Sequence, residues 1–238
     1  MRFPRGSLLP AAPLGVCLIL LATSCGGSRK AIANKTAQET AAEAPPSRTD
    51  DVRPKVLFLG DSLTAGLGLV ETQSYPGLLQ KHIDDDGFNF EVVNAGVSGE
   101  TSAGGLRRLG WALQEDVRIV VVALGANDGL RGLSVSEMKQ NLAQIIETAR
   151  AKNVIVILAG MEAPPNYGAE YATAFRQAYR DLALEYRVTF IPFLLDNVAG
   201  QAALNQGDGI HPNAQGAAIV ADTVWKVLKP LLDQISSS

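Results

Sequence analysis

From residue 55 onward the chain alternates short, solidly apolar runs with longer stretches whose apolar residues recur at helical spacing. The short runs fall at 56–59, 91–94, 119–124, 154–159 and 188–191. Two of them, RIVVVALG and NVIVILAG, are unbroken and rich in β-branched residues. A strand with one wet face would alternate, so an unbroken run suits a strand covered on both faces, hence a parallel sheet. The longer stretches, 75–83, 102–114, 136–152, 170–186 and 213–232, predict helices. A further run that reads as helix begins at Leu63 and Thr64, directly after the first strand. Strand and helix in strict alternation predict an α/β fold: a three-layer α/β/α sandwich on a five-stranded parallel sheet, flavodoxin-like, with right-handed crossovers. No internal repeat is visible.

The first 53 residues have a different character. Arg2 and Arg5 give a basic start, and LGVCLILLA at 14–22 is an apolar run too short to span a bilayer and suited to a signal h-region. Small residues then lead to Cys25. Small residues before a cysteine resemble a bacterial lipoprotein processing site, in which the cysteine becomes the lipidated first residue. Here leucine stands four places before Cys25, at Leu21, and Ala22 occupies the third place. The expected organisation is a signal segment over 1–25, a flexible tether over 26–53 rich in Ala, Ser, Thr, Glu and Pro, and one folded domain over 54–238. An exported, membrane-anchored protein facing the periplasm follows from that reading, or a soluble periplasmic or secreted one if Cys25 is incidental.

Charge and cysteine content narrow the chemistry. Seven of the 21 Lys and Arg and four of the 24 Asp and Glu precede Pro54. That leaves 14 basic against 20 acidic residues in the domain, a formal charge near −6. A nucleic-acid surface needs clustered positive charge, so that partner is excluded. No cysteine follows Cys25, so the domain has neither a disulfide nor a thiol nucleophile. Two histidines and no cysteine leave little for a transition-metal site. The acidic run at 84–86 reads as a solvated helix end. Neither a phosphate-cradling G-x-x-x-x-G-K-[ST] nor a G-x-G-x-x-G follows a strand, which counts against a flavodoxin-like binding module without chemistry. No feature sets the oligomeric state.

In parallel sheets the active crevice lies beyond the carboxyl ends of the strands. Polar residues gather at those ends here: Gly60-Asp61-Ser62, the NAGVSG segment at 94–99, and Gly125-Ala126-Asn127-Asp128. A serine at a strand-to-helix turn is exposed, fixed and near a helix N-terminus, but needs a base to remove its proton. His82, in KHIDDDG, reads as a solvated surface residue. His211 lies in GDGIHPN, three residues after Asp208, a spacing that lets a carboxylate hold the imidazole. Taken alone, the pair reads better as a loop histidine beside an aspartate that caps the last helix. Gly99 could offer an unobstructed N–H and Asn127 a side-chain amide to an oxyanion, although Asn-Asp-Gly is also a common turn.

Together and in order, GDSL at 60–63, the Gly99 loop, GAND at 125–128 and DGIH at 208–211 resemble the four blocks of the SGNH (GDSL) hydrolases, over nearly all of 55–232. NDGLRG at 127–132, PPNYG at 164–168 and DGIHPN at 208–213 resemble the bacterial subgroup of acyl-CoA thioesterase I, lysophospholipase and arylesterase. The resemblance implies the SGNH fold and a serine esterase acting on aryl esters, acyl thioesters and lysophospholipids without a cofactor. It implies Ser62 as nucleophile, His211 as base and then acid, Asp208 as its orienter, and an oxyanion hole from Gly99, Asn127 and the Ser62 N–H. Asp61 would be structural, receiving backbone N–H bonds. The loops at 129–134 and 161–168 would shape an acyl groove with Leu130, Pro165, Tyr167 and Ile210 against substrate. In the stripe Tyr167, Tyr171, Phe175, Tyr179, the last three read as helix packing on the sheet. G-x-S-x-G is absent, so the site is no ordinary α/β-hydrolase elbow. A carbohydrate O-acetyl esterase on the same fold is the alternative.

Overall fold

The computed structural model describes residues 53–237. The expectations for the signal segment, Cys25 and nearly all of the tether lie outside these residues. Twelve strands and helices carry the fold: β1 (Lys55–Gly60), α1 (Ser62–Ala65), α2 (Tyr75–Asp85), β2 (Glu91–Gly96), α3 (Ser102–Ala112), β3 (Val117–Ala123), α4 (Ala126–Leu130), α5 (Val135–Ala151), β4 (Ile155–Ala159), α6 (Ala169–Tyr186), β5 (Thr189–Ile191) and α7 (Ala214–Ser236).

All five strands pair in parallel, in the order β2-β1-β3-β4-β5. The unbroken apolar runs are the covered strands: residues 56–59 of β1 and 119–122 of β3 are wholly buried. At about 1.5–3 kcal/mol for each large side chain taken from water, these two strands anchor the core. β2 is an edge strand and keeps partly exposed positions throughout. α2 packs against α7, while α3, α5 and α6 form a second row. The first strand is flanked by β2 on one side and β3 on the other, so the chain changes direction across the sheet between β1 and β3. The carboxyl end of β1 therefore opens at the switch point where α/β sheets bind ligands.

Local chemistry sets the helix starts. Ser74, Thr101 and Ser134 each accept an N–H from the first turn of α2, α3 and α5. α7 is capped by Asn213, whose Oδ1 accepts from Gln215 and Gly216 at 3.0 and 3.1 Å. Asp208 is thus no helix cap. α3 stops at Ala112, short of the predicted 114, while α7 continues past 232 through Pro230 to Ser236. Pro230 is exposed, so the carbonyl that loses its partner faces water, and Leu228 and Leu232 on the buried side keep the helix docked. In the aromatic stripe, Phe175 and Tyr179 are wholly buried, and successive rings lie 5.4, 6.1 and 5.5 Å apart from Tyr167 to Tyr179. His82 stacks on Trp225 at 5.3 Å, with Asp222 Oδ1 at 3.7 Å.

Candidate active site

β1 hands the chain to Asp61 and Ser62 through Gly60, where a Cβ would collide with the Thr64 hydroxyl. The Asp61 carboxylate caps α1 by accepting the Leu63 N–H at 3.1 Å. α1 is only four residues long, because Gly66 adopts φ +72° and returns its N–H to the Ser62 carbonyl. The run that reads as helix from Leu63 is this one turn, and side chains also hold it. Thr64 Oγ1 and the Tyr75 hydroxyl share a buried hydrogen bond of 2.7 Å, and burial pushes the Tyr75 phenol well above its ordinary range.

His211 reaches this turn from the far end of the chain. Its Nε2 lies 2.8 Å from Ser62 Oγ, and its Nδ1 lies 2.7 Å from Asp208 Oδ2. The second Asp208 oxygen accepts the N–H groups of Ile210 and His211, both at 3.0 Å. The bond from the His211 ring, then those two N–H groups, hold the Asp208 carboxyl down to about 2. Gln206 fastens the loop: its N–H donates to the His211 carbonyl at 2.7 Å, and its amide donates to Leu67 and Pro212 carbonyls at 2.7 and 3.0 Å.

Asn127 sits on α4, directly after β3. Its Nδ2 donates to Asp61 Oδ2 at 3.1 Å, and the side chain borders the same cleft as Ser62. Asp61 is buried, and burial lifts its carboxyl to about 6 despite the Leu63 and Asn127 bonds that oppose the rise. Gly125 must be glycine: at φ +108° a Cβ would meet the Tyr179 hydroxyl, which donates to the Leu124 carbonyl at 2.9 Å. Gly99, at φ +79°, occupies the third position of a turn closed by the Glu100 N–H on the Val97 carbonyl, an arrangement of type II. That turn is joined to β1 by the Val97 N–H on the Gly60 carbonyl at 3.0 Å.

Several supporting residues escaped the sequence reading. Arg108 holds Glu100 through Nε at 2.7 and 2.9 Å, and its Nη2 donates to the Ala95 and Gly60 carbonyls at 2.6 and 3.1 Å. One guanidinium thus gathers the ends of β1 and β2 and the Gly99 turn. Asp128, read only as part of its block, is buried and accepts the Ser102 N–H and hydroxyl at 2.8 and 2.6 Å, while Asn141 donates to that hydroxyl at 3.0 Å.

An open cleft of about 480 Å³ runs from Ser62, Asn127 and His211 along mostly apolar walls, within the usual range for small-molecule sites. Leu130, Pro165 and Ile210 line it, together with Met161 and Ala163. Tyr167 does not: its hydroxyl donates to the Leu130 carbonyl at 3.1 Å and its ring covers Gly132, so it braces the loop that carries Leu130. Phe193, Leu195 and Asn205, from the segment between β5 and α7, also line the cleft. The one signal for them was the length of that segment, 192–213, which is unusual for a plain connection. Among the described residues no group of three His, Cys, Asp or Glu is placed to hold a metal ion.

Residues 58–219 match the GDSL-like Lipase/Acylhydrolase family. Esterase TesA of Pseudomonas aeruginosa is 44% identical over 178 residues, 74% of this chain and 89% of that protein. The thioesterase 1/protease 1/lysophospholipase L1 of Escherichia coli K12 is 40% identical over 182 residues, 76% of this chain and 86% of that one. A crystal structure of TesA superposes with a TM-score of 0.72, at 44% identity, over 74% of this chain and 99% of that chain. With this match covering the sheet, the serine turn and the histidine loop alike, the chain belongs to the GDSL-like lipase/acylhydrolase family and is a serine ester hydrolase.

Proposed function

We propose that this enzyme cleaves medium to long acyl esters and thioesters through an acyl-enzyme on Ser62, with the acyl chain in the apolar cleft. The observation that carries this reading is the continuous relay from Ser62 Oγ through the His211 ring to Asp208, at 2.8 and 2.7 Å, with Ser62 and His211 lining that cleft. His211 Nε2 takes the Ser62 proton as Oγ attacks the acyl carbon, and Asp208 stabilises the imidazolium and fixes its tautomer. The oxyanion is held by the N–H groups of Ser62 and Gly99 and by the Asn127 amide. His211 then gives its proton to the departing alcohol or thiol. Water, deprotonated by the same ring, releases the acid and restores the serine.

Relatives named esterase, thioesterase, lysophospholipase and arylesterase support a tolerant leaving-group side. The apolar walls favour this reading over a carbohydrate O-acetyl esterase, which needs polar contacts to a sugar. Labelling the intact protein with a fluorophosphonate, mapping the tag, and measuring rates across chain lengths and leaving groups tests both points. A tag on Ser62 with rates rising beyond acetyl is expected; activity confined to acetylated sugars would overturn the substrate assignment. The basic start, the apolar run at 14–22 and the small residues before Cys25 support export and lipidation at that cysteine. Mass spectrometry of the N-terminal peptide should find a diacylglyceryl group on Cys25; an unmodified cysteine, or cleavage beyond it, would remove the anchor.

A further inference from the structure

The two donors that Ser62 does not itself supply come from separate segments. Gly99 follows β2 and Asn127 follows β3, and β1 stands between those strands. No ladder of the sheet sets one donor against the other directly. Asp128 ties α4 to Ser102 from the buried side, and one further side chain reaches Gly99 itself. Arg131 closes α4, one turn beyond Asn127, and its N–H bonds to the Asn127 carbonyl at 3.2 Å. From there its Nη2 crosses to the Gly99 carbonyl at 2.7 Å. Among the described residues no carboxylate lies within ion-pair distance of this guanidinium, and the Gly99 carbonyl is the side chain's hydrogen-bond partner. An exposed arginine ordinarily drifts in water or pairs with an acid; this one is spent on a backbone carbonyl of the neighbouring loop.

The effect on Gly99 follows from its backbone. A glycine at φ +79° on an exposed turn has wide freedom, and a turn pinned only at its start and end can rock. Arg108 holds the following residue, Glu100, from inside the protein, and Arg131 holds Gly99 itself from the outer side. With the Gly99 carbonyl tied to α4, the turn that carries its N–H loses freedom to move relative to the Asn127 amide. We propose that Arg131 is a positioning residue that straps the two donor segments together and keeps the oxyanion hole assembled before substrate arrives. This rests on the Ser62 mechanism above.

The test uses the intact protein with Arg131→Ala, Arg131→Gln and Arg131→Lys. Each is assayed for kcat and KM on a neutral p-nitrophenyl ester, for the rate of fluorophosphonate labelling, and for thermal melting. Removing one oxyanion donor outright costs about two to three orders of magnitude; loosening one should lower kcat of Arg131→Ala about tenfold or more. KM and Tm stay near the parent values, and labelling slows by a similar factor. Arg131→Lys and Arg131→Gln, which keep a donor, recover part of the rate. Added to Asn127→Ala, the Arg131→Ala loss is less than multiplicative, because both act on one hole. An unchanged kcat, a loss confined to KM, or a loss that tracks a fall in Tm would overturn the proposal. A parent enzyme that never labels on Ser62 defeats the mechanism itself; a parent and Arg131→Ala that label equally fast defeat only the strap.

Discussion

Ser62 and His211 meet at 2.8 Å, yet they arrive from opposite kinds of structure. The serine sits on the end of a strand whose residues 56–59 are wholly buried, and its turn is backed by the buried Thr64–Tyr75 bond and the Arg108 clamp. Its position is a consequence of the core. The histidine sits on a long segment outside the sheet, and its acid partner, Asp208, leaves 46% of its side chain in solvent. Its position depends on a few short hydrogen bonds within and across one loop. The nucleophile's place is therefore insured by many kilocalories of burial, while the base's place is insured locally. Damage to the second half should reach activity long before it reaches stability.

The largest effect tests the pair itself. Ser62→Ala and His211→Ala should each lower kcat/KM on a chromogenic ester by about four orders of magnitude or more, with melting curves near the parent's. A His211→Ala enzyme that keeps a tenth of the activity would mean that another base serves Ser62. Next comes Asp208→Asn, which keeps the shape but removes the charge that pairs with the imidazolium. About two to four orders of magnitude in kcat should go, with KM little changed. The same carboxyl has a pH consequence. Its folded value, about 2, lies below the ordinary 3.8, so its contribution to stability is present above that ordinary value and fades as pH falls toward about 2. Acid unfolding followed by circular dichroism should show less loss over this window in Asp208→Asn; identical acid profiles would count against the bonds to the loop.

Gln206 probes the local insurance alone, since it touches no substrate. Its amide spans the Leu67 and Pro212 carbonyls and joins the histidine loop to the segment after α1. Gln206→Ala should lower kcat about tenfold through misplacement of the imidazole, at nearly unchanged Tm. If kcat holds while Tm falls, the loop is rigid without it and the two halves differ less in how they are held.

The same contrast explains what could be read from the residues. β1, β3 and β4 were legible because strands covered on both faces must be apolar throughout. Ser62, Asn127 and the Asp208–His211 pair stood out through the order of their blocks, and the structure brings Ser62, Asp208 and His211 into one relay. The run from Leu63 that reads as helix is α1, but its end left no periodic trace, since the left-handed Gly66 closes it by a single backbone bond. Tyr167 was assigned to substrate from its place in a loop, but a tyrosine hydroxyl finds a backbone carbonyl as readily as a ligand. Arg108 and Arg131 were invisible for a related reason. Arg131 ends on a carbonyl, which every residue supplies, and Arg108 reaches two carbonyls besides Glu100, which lies eight residues away and outside its helix. The segment at 192–213 has apolar residues without a period, because each bend turns a different side inward.

The smallest expected effect separates the two carboxylates, and it runs in the opposite direction with pH. Asp61, buried where Asp208 is exposed, has its carboxyl raised to about 6 rather than lowered. A group that binds its proton more tightly when folded adds stability that is full below the ordinary carboxylate pKa and is lost as pH rises through the folded value. The parent enzyme should therefore gain on Asp61→Asn as pH falls from neutral through about 6, because the variant carries a neutral amide at every pH. At neutral pH the substitution should cost only a few-fold in kcat: an asparagine can still accept the Leu63 N–H, but with one oxygen it cannot also hold the Asn127 amide at the second position. Melting temperatures of both proteins across this window decide the matter. A difference that does not change with pH would show that Asp61 stays charged in the folded protein, and that the Asn127 and Leu63 bonds outweigh its burial.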